Sequence, residues 1–320
     1  MITVLAGGVG AARLLAGLVQ VVDPEEITAV VNTGDDVRLH GLHISPDLDT
    51  CTYTLARAIN PETGWGLTGE TWSAMDALGR YQAVRPEGST AGVTWFGLGD
   101  RDLATHLYRT HRLAEGARLS TVTAEVTAAW GLGLHLLPMS DDRVETRLHL
   151  RDEAVEVGFQ EYFVQRHHDV AVDAVRFVGV ERAQPGPGVV EALTAAEVVV
   201  IAPSNPIVSI GPVLAVPGLR DLVAGRRETV VAVSPIVAGA ALKGPADRLM
   251  VELGLEASVV GVARAYAPVA ATLVIDEADA HLAGAVEAEG VRCVVAPTVM
   301  HGPPEAAALG QVVLTAGRRS

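Results

Sequence analysis

Short apolar runs, each followed by a turn-forming segment, recur along the chain. Ile2–Ala6 leads into a glycine turn and then into residues with helical spacing, and Ile27–Val31 leads into a polar loop. Runs rich in β-branched residues predict buried strands, and a 3.6-residue spacing of apolar residues predicts helices. The same patterns predict strands at 198–202, 229–233, 258–262, 271–275 and 291–295, and helices after Pro46 and at 103–114 and 304–315.

This alternation determines the predicted fold class. Strands that alternate with helices form a mostly parallel sheet that is covered on both faces, so we predict a doubly wound α/β fold. Residues 144–150 and 154–164 instead alternate polar and apolar side chains around Arg151, which predicts a β-hairpin.

The composition of the chain limits the kinds of molecule that it is expected to bind. The net charge of −14 argues against sequence-independent binding to nucleic acid or to anionic membranes. The apolar runs are too short to cross a membrane as helices, and the start of the chain lacks the basic segment of a signal peptide. We therefore expect a soluble, cytoplasmic protein in which Cys51 and Cys293 are reduced thiols.

The turn after the first predicted strand contains Gly7, Gly8 and Gly10. Glycines let a phosphate approach the backbone, and the next helix offers free N–H groups, so we predict phosphate binding here; a purely structural turn is the alternative. Arg13 stands where a dinucleotide-binding motif has its third glycine, and Asn32 stands where that motif has an acidic ribose ligand. A dehydrogenase is therefore disfavoured, and Arg13 could itself bond to the phosphate.

Four carboxylates follow closely in sequence, as the pairs Asp35 and Asp36, and Asp47 and Asp49. Carboxylate oxygens together with substrate phosphate are typical ligands of magnesium. Helix capping is the competing explanation, because Ser45 is a suitable N-cap and an acidic first turn stabilises a helix. Capping accounts for Asp47 but less well for Asp49, and it does not account for Asp35 and Asp36.

Two further segments carry polar residues beside predicted elements. Asp100 is a suitable N-cap for the helix near residue 103, which would make Arg101 a surface residue; alternatively, Arg101 binds an anion or a ring. His106 lies one turn further along that helix. The loop containing Ser204 and Asn205 follows a predicted strand, where it could bind a base or ribose or form only a rigid turn.

Taken in order, these segments resemble the 2-phospho-L-lactate transferase family, including its actinobacterial members that use phosphoenolpyruvate, which acts in the assembly of the deazaflavin coenzyme F-420. Each motif is weak alone, but the ordered set is specific and spans nearly the whole chain. The matching segments are residues 7–10, 32–36, 45–50, 99–106, 138–142, 203–206, 209–212 and 234–236.

The resemblance implies a Rossmann-like core of residues 1–137 and 190–320, a smaller β-containing insertion of residues 138–189, and a homodimer. It implies a magnesium-dependent transfer in which the ribityl hydroxyl of the deazaflavin precursor Fo attacks a guanosine diphosphate-activated lactate or enolpyruvate, and GMP leaves. The roles that it implies are catalysis for Asp47 and Asp49; Fo binding for Asn32, Asp49, Asp100, Arg101 and His106; nucleotide binding for Gly7, Gly8, Gly10, Arg13, Ser204 and Asn205; and metal binding for Asp35, Asp36, Asp47 and Asp49.

A second interpretation is that the protein is a regulator and not an enzyme. A related group of gluconeogenesis factors contains non-catalytic regulators that bind nucleotide sugars and share the core and the glycine-rich start. That group follows its second strand with a loop rich in glycine and serine. Here the corresponding loop is acidic, at Asp35 and Asp36, and is followed by Asp47 and Asp49. These carboxylates favour the enzyme.

Overall fold

A computed structural model describes residues 1–318. The strands in this range are β1 Ile2–Ala6, β2 Ile27–Val31, β3 Val37–Leu39, β4 Leu42–Ile44, β5 His135–Pro138, β6 Glu145–Leu150, β7 Val155–Gly158, β8 Val172–Val178, β9 Val198–Ile201, β10 Val230–Val233, β11 Ile236–Val237, β12 Ala240–Ala241, β13 Thr272–Ile275 and β14 Arg292–Val295. The α-helices are α1 Gly8–Leu18, α2 Pro46–Leu55, α3 Ser73–Gly79, α4 Asp102–Ala114, α5 Leu119–Ala129, α6 Val189–Ala195, α7 Ile210–Ala215, α8 Leu219–Ala224, α9 Ala246–Glu252, α10 Val259–Tyr266, α11 Ala283–Ala288 and α12 Pro303–Arg318.

The centre of the molecule is a seven-stranded sheet in the order β14-β13-β10-β9-β1-β2-β5, and all neighbouring strands are parallel. Side chains of β1 alternate between two apolar clusters, with Val4 and Ala6 in one and Leu5 in the other. Helices α1, α2, α5 and α12 contribute to the first cluster, and α6 to α11 contribute to the second. Helices therefore cover both faces of the sheet, and the predicted Rossmann-like, doubly wound α/β fold is confirmed.

The order of the strands reverses at β1. From β1 the chain adds β2 and β5 on one side, and then returns to place β9, β10, β13 and β14 on the other. Connections that leave β1 and β9 in opposite directions open a crevice at the carboxyl ends of these strands. The topology thus places a ligand site beside the loops that follow β1, β2 and β9.

A second sheet, antiparallel and three-stranded, has the order β7-β6-β8. Its β6–β7 pair is the predicted hairpin, although β7 ends at Gly158 and a π-helical turn, Glu161–Gln165, replaces the rest of the predicted strand. The apolar cluster of this sheet includes Val208 and Leu249, which belong to the predicted core. The division into a core and an insertion at 138–189 stays a prediction.

The prediction of a strand at 258–262 is wrong. These residues begin α10, and the Ser258 hydroxyl accepts hydrogen bonds from the N–H groups of Val260 and Gly261, both at 3.1 Å. A short apolar run fits a buried strand and a buried helix equally well, and here the serine cap selects the helix. Strand β8 was not predicted.

Within residues 1–318, no helix is both long enough and apolar enough to cross a membrane. This agrees with the short apolar runs of the sequence.

The contact between α1 and α12 depends on Gly17. A Cβ atom on Gly17 would overlap the backbone oxygen of Ala306, whereas Gly284, in α11, has open space around it. We expect Gly17→Ala to lower the free energy of unfolding by about 2 kcal/mol, because the backbone of α12 must shift. The control Gly284→Ala should raise it by roughly 0.5 kcal/mol through the better helix propensity of alanine. Urea denaturation measures both, and equal effects of the two changes would contradict this packing.

Candidate active site

A cavity of about 660 Å³ opens at the carboxyl ends of the central strands. Its walls are the loops after β1, β2, β9 and β10, the start of α2, and residues of the second sheet's π-helical turn. Of the residues that the sequence singled out, these line it: Gly7, Gly8, Gly10, Arg13, Asp35, Asp47, Asp49, His106, Ser204 and Asn205. Four others do not: Asn32, Asp36, Asp100 and Arg101.

The glycine turn is held tightly against the loop after β9. Gly8 has φ +71°, a conformation that favours glycine, and a Cβ atom on Gly10 would overlap the carbonyl oxygen of Pro203. The Ser204 hydroxyl donates to the carbonyl of Gly7 at 2.8 Å. Helix α1 begins at Gly8, and its N-cap residue, Gly7, forms no side-chain cap. The start of α1 therefore lies in a closely packed turn that lines the cavity.

Asp35 and Asp47 form the most electrostatically unfavourable pair of the site. Both are almost fully buried, and Asn32 supports Asp47 by donating to its Oδ2 at 3.0 Å. Burial raises the pKa of Asp47 to about 7. Burial, and next the charge of Asp47, raise the pKa of Asp35 well above its ordinary value, and its Oδ1 has no hydrogen-bond partner among the described residues. Such a pair favours a proton or a cation between the two carboxylates.

Asp36 bonds to two residues that precede α2. Its Oδ2 accepts a hydrogen bond from the Ser45 hydroxyl at 2.7 Å and lies 2.9 Å from Nε2 of His43. Ser45 is the N-cap residue of α2, as predicted, but its hydroxyl bonds to Asp36 instead of capping the helix. Asp36 thus holds the start of α2 in place.

Asp49 belongs to a separate buried cluster on α2 and α4. Both of its oxygens accept from the guanidinium of Arg109, which is 2% exposed, and Nδ1 of His106 lies 3.7 Å from Oδ2. On the other side of the ring, Nε2 of His106 lies 3.2 Å from Asp102, which also accepts from the Tyr53 hydroxyl. Burial favours the neutral form of Asp102, but its bonds with His106 and Tyr53 outweigh this and lower its pKa. Of the four predicted metal-binding carboxylates, Asp49 is thus already paired with an arginine, and the role of the set in metal binding stays a prediction.

Two sets of residues could hold a cation. Asp49, Asp102 and His106 have potential ligand atoms within 4.8 Å of one another. However, Arg109 already bonds to both oxygens of Asp49, and a histidine ligand suits transition metals better than magnesium. Asp35 and Asp47 offer only oxygen atoms, and the buried, unpartnered Oδ1 of Asp35 fits a hard cation. The second set fits magnesium better.

Asp100 and Arg101 take part in reciprocal helix capping outside the cavity. Asp100 accepts from the N–H groups of Ser73 and Ala74, which caps α3, and Glu70 accepts from those of Arg101 and Asp102, which caps α4. These bonds, together with that from Thr71, lower the pKa of Asp100. Asp100 thus caps α3 and not the helix that follows it in sequence. A role of Asp100 and Arg101 in Fo binding stays a prediction.

Sequence reasoning missed two features of the site, the partner of Asp49 and one wall of the cavity. Arg109 lies in an amphipathic helix, and nothing in the sequence indicated that it pairs with Asp49. The second feature is an aromatic wall, formed by Trp65, Trp95, Phe96, Phe159 and Phe163. The rings of Phe159 and Phe163 stack at 5.5 Å with an angle of 5° between their planes. The π-helical turn brings this pair to the cavity, where a strand was predicted.

Comparisons with known proteins identify the family of the chain. The family model described as 2-phospho-L-lactate transferase CofD matches residues 2–298. The chain belongs to this family. It is 48% identical over 303 residues to a phosphoenolpyruvate transferase of Kitasatospora aureofaciens, covering 93% of this chain and 92% of the relative. Proteins with the same name from Streptomyces griseus and Mycolicibacterium smegmatis are 45% and 42% identical and cover 98% and 96% of the chain, and 97% and 96% of their own lengths.

Family membership confirms that the chain is a transferase of the type that the resemblance implied. Among solved structures, protein BH3568 from Bacillus halodurans has a TM-score of 0.61 and covers 98% of each chain at 17% identity. At this identity, the likeness shows the fold alone.

The Asp49–Arg109 pair should be critical for stability. Asp49→Asn removes the counter-charge that is hydrogen-bonded to the buried guanidinium, and we expect a loss of about 3–5 kcal/mol in the free energy of unfolding. The matched control is Arg264→Gln, which breaks the exposed pair between Arg264 and Glu289 at 2.6 Å. That change should cost less than about 1 kcal/mol. Urea denaturation at pH 7 compares them, and a cost for Asp49→Asn as small as the control's would show that the pair is dispensable.

Asp47 should make stability fall as the pH rises. Its pKa is about 7 in the folded protein and near 4 in the unfolded chain, so the folded state binds the proton more tightly. The resulting stabilisation is complete below about pH 4 and is lost as the pH rises through 7, by at most about 1.4 kcal/mol per pH unit. With a chelator present to remove metal ions, Asp47→Asn should flatten the dependence of the free energy of unfolding on pH between pH 5 and pH 8. The control Asp152→Asn, in an exposed turn, should keep it, and an unchanged slope in Asp47→Asn would contradict the assignment.

Proposed function

We propose that the protein transfers a phosphoenolpyruvyl group from a guanosine diphosphate-activated donor to the ribityl hydroxyl of Fo, with release of GMP. The names of the curated relatives support enolpyruvate over lactate as the donor's acid. The observation that carries the proposal is the composition of the cavity. Its lining combines a polar part, made of the glycine turn, carboxylates and basic side chains, with the aromatic wall.

The polar part of the cavity lining suits a nucleoside diphosphate. The uncapped start of α1 offers N–H groups, and Arg13 lies in the second turn of the same helix, where it also donates to the carbonyl of Met300 at 3.2 Å. Asn205 contributes a further donor. Its Oδ1 accepts from the N–H groups of Ile207 and Val208, while its buried Nδ2 has no partner among residues 1–318. That unused donor supports a role in binding the base or ribose.

The aromatic wall suits a flat, conjugated acceptor. Ring faces such as those of Phe159 and Phe163 stack favourably on planar heterocycles. A cavity of about 660 Å³ is within the usual size range of small-molecule sites. An acceptor bound against this wall would extend its ribityl chain toward Asp47 and the glycine turn.

In the proposed reaction, the hydroxyl oxygen of Fo forms a bond to the phosphorus that carries the enolpyruvyl oxygen. The bond from this phosphorus to the GMP oxygen breaks, and GMP leaves with the electron pair. Asp47 is the better candidate to accept the hydroxyl proton, because it lines the cavity and is not paired with an arginine. Asp49 is already bonded through both oxygens to Arg109, so we propose that it positions α4 and His106.

Magnesium, bound by Asp35 and Asp47, would neutralise charge on the phosphate oxygens. The homodimer and the cytoplasmic location implied by the resemblance remain part of this proposal.

A donor panel tests the function. Purified protein, Fo and magnesium are incubated with the guanosine diphosphate derivatives of enolpyruvate and lactate, and the product masses are recorded. We expect the enolpyruvyl product to form fastest and GMP to appear in equal amount. If Fo fluorescence does not change on titration with micromolar protein, and no donor reacts, the proposed transfer to Fo is wrong.

Asp47→Asn should lower turnover by about 10²-fold or more, because the variant has neither the base nor the negative charge. Its free energy of unfolding at pH 8 should not fall, since a neutral group replaces a buried charge. Asp152→Asn controls for loss of one negative charge far from the cavity. Near-normal turnover in Asp47→Asn would exclude Asp47 as the base.

A further inference from the structure

Lys243 is the only lysine of the chain, and it lines the cavity. It follows the small hairpin of β11 and β12 and precedes α9. Its ammonium group donates to the carbonyl of Thr63, which also lines the cavity, at 3.3 Å. This bond uses one of three ammonium protons, so the group can still donate to a ligand.

The ammonium group of Lys243 is close to the glycine turn. A Cβ atom on Gly64 would lie 2.7 Å from Nζ of Lys243 and 3.6 Å from the side chain of Val9. Val9 is part of the turn formed by Gly7, Gly8 and Gly10. The positive charge therefore lies beside the segment whose backbone is expected to hold phosphate.

Lys243 and Arg13 together form an uncompensated positive pair. Burial, and next the charge of Arg13, lower the pKa of Lys243, which shows that the two cations repel each other. Their side-chain hydrogen bonds within residues 1–318 go to neutral backbone carbonyls, those of Thr63 and Met300. In a protein with a net charge of −14, two such cations at one end of a cavity favour a ligand with more than one negative charge.

We propose that Lys243 binds the second phosphate of the nucleoside diphosphate, with Arg13 on the other side of the diphosphate. The proposal rests on the proposed function and adds a residue to it. A diphosphate carries one more phosphate than the GMP that leaves. Lys243 would therefore hold the donor and the phosphoryl group in transfer more strongly than the departing nucleotide, which favours release of GMP.

The test compares GDP with GMP. Binding of each nucleotide is measured by calorimetry in magnesium for the wild type and for Lys243→Gln. We expect the variant to bind GDP about 10-fold more weakly, the effect of losing one charge-assisted hydrogen bond, and to bind GMP with less than about a 2-fold change. Lys243→Arg should restore most of the GDP affinity, since it keeps a positive donor at this position.

Arg220→Gln is the matched control, because Arg220 is an exposed cation on α8 outside the cavity. It should change neither affinity, and the melting temperatures of all variants should be equal to that of the wild type. Equal losses for GDP and GMP, or no loss for GDP, would overturn the role of Lys243. If the wild type binds neither nucleotide, the proposed function fails, and the role of Lys243 fails with it.

Discussion

The backbone contact between the glycine turn and the loop after β9 is the constraint on which the site depends. Gly10 touches the carbonyl of Pro203, and Ser204 bonds to Gly7, so the two loops on either side of the strand reversal are joined. Any side chain at Gly10 would push them apart. Because α1 begins within this turn, the same contact fixes where its first N–H groups point.

Two groups of buried carboxylates differ in how their charge is compensated. Asp49 has a counter-charge with matching geometry, and this pair joins α2 to α4. Asp35 and Asp47 are paired with no cationic side chain among the described residues, and Asn32 donates to Asp47, so burying both charges is costly for stability in the absence of a ligand. Proteins tolerate such strain mainly where a ligand or reaction makes use of it. The uncompensated pair is therefore the more informative guide to function, although the sequence pointed more strongly to Asp49.

The fold was largely predictable because buried parallel strands are continuous apolar runs and glycines mark the turns between elements. Residues 258–262 were predicted wrongly because a run of five residues does not distinguish a strand from the first turns of a buried helix. The site was only partly predictable. Motifs identified the loops at the strand ends, but Arg109 and Lys243 reach the site through tertiary packing, and no local pattern indicates their partners. Asp100 shows the converse case, since its neighbours in sequence suggested capping of α4 and its neighbours in space are the first residues of α3.

The exchange of caps between α3 and α4 has a consequence for how the molecule opens. Glu70 precedes α3 and caps α4, while Asp100 precedes α4 and caps α3, so neither helix start is complete without the other. Separation of the segment around α3 would expose the first amide protons of both helices in one event. They should then exchange with solvent deuterium as one cooperative unit. Because α4 carries His106 and Arg109, local unfolding of this peripheral segment would also loosen the buried cluster around Asp49.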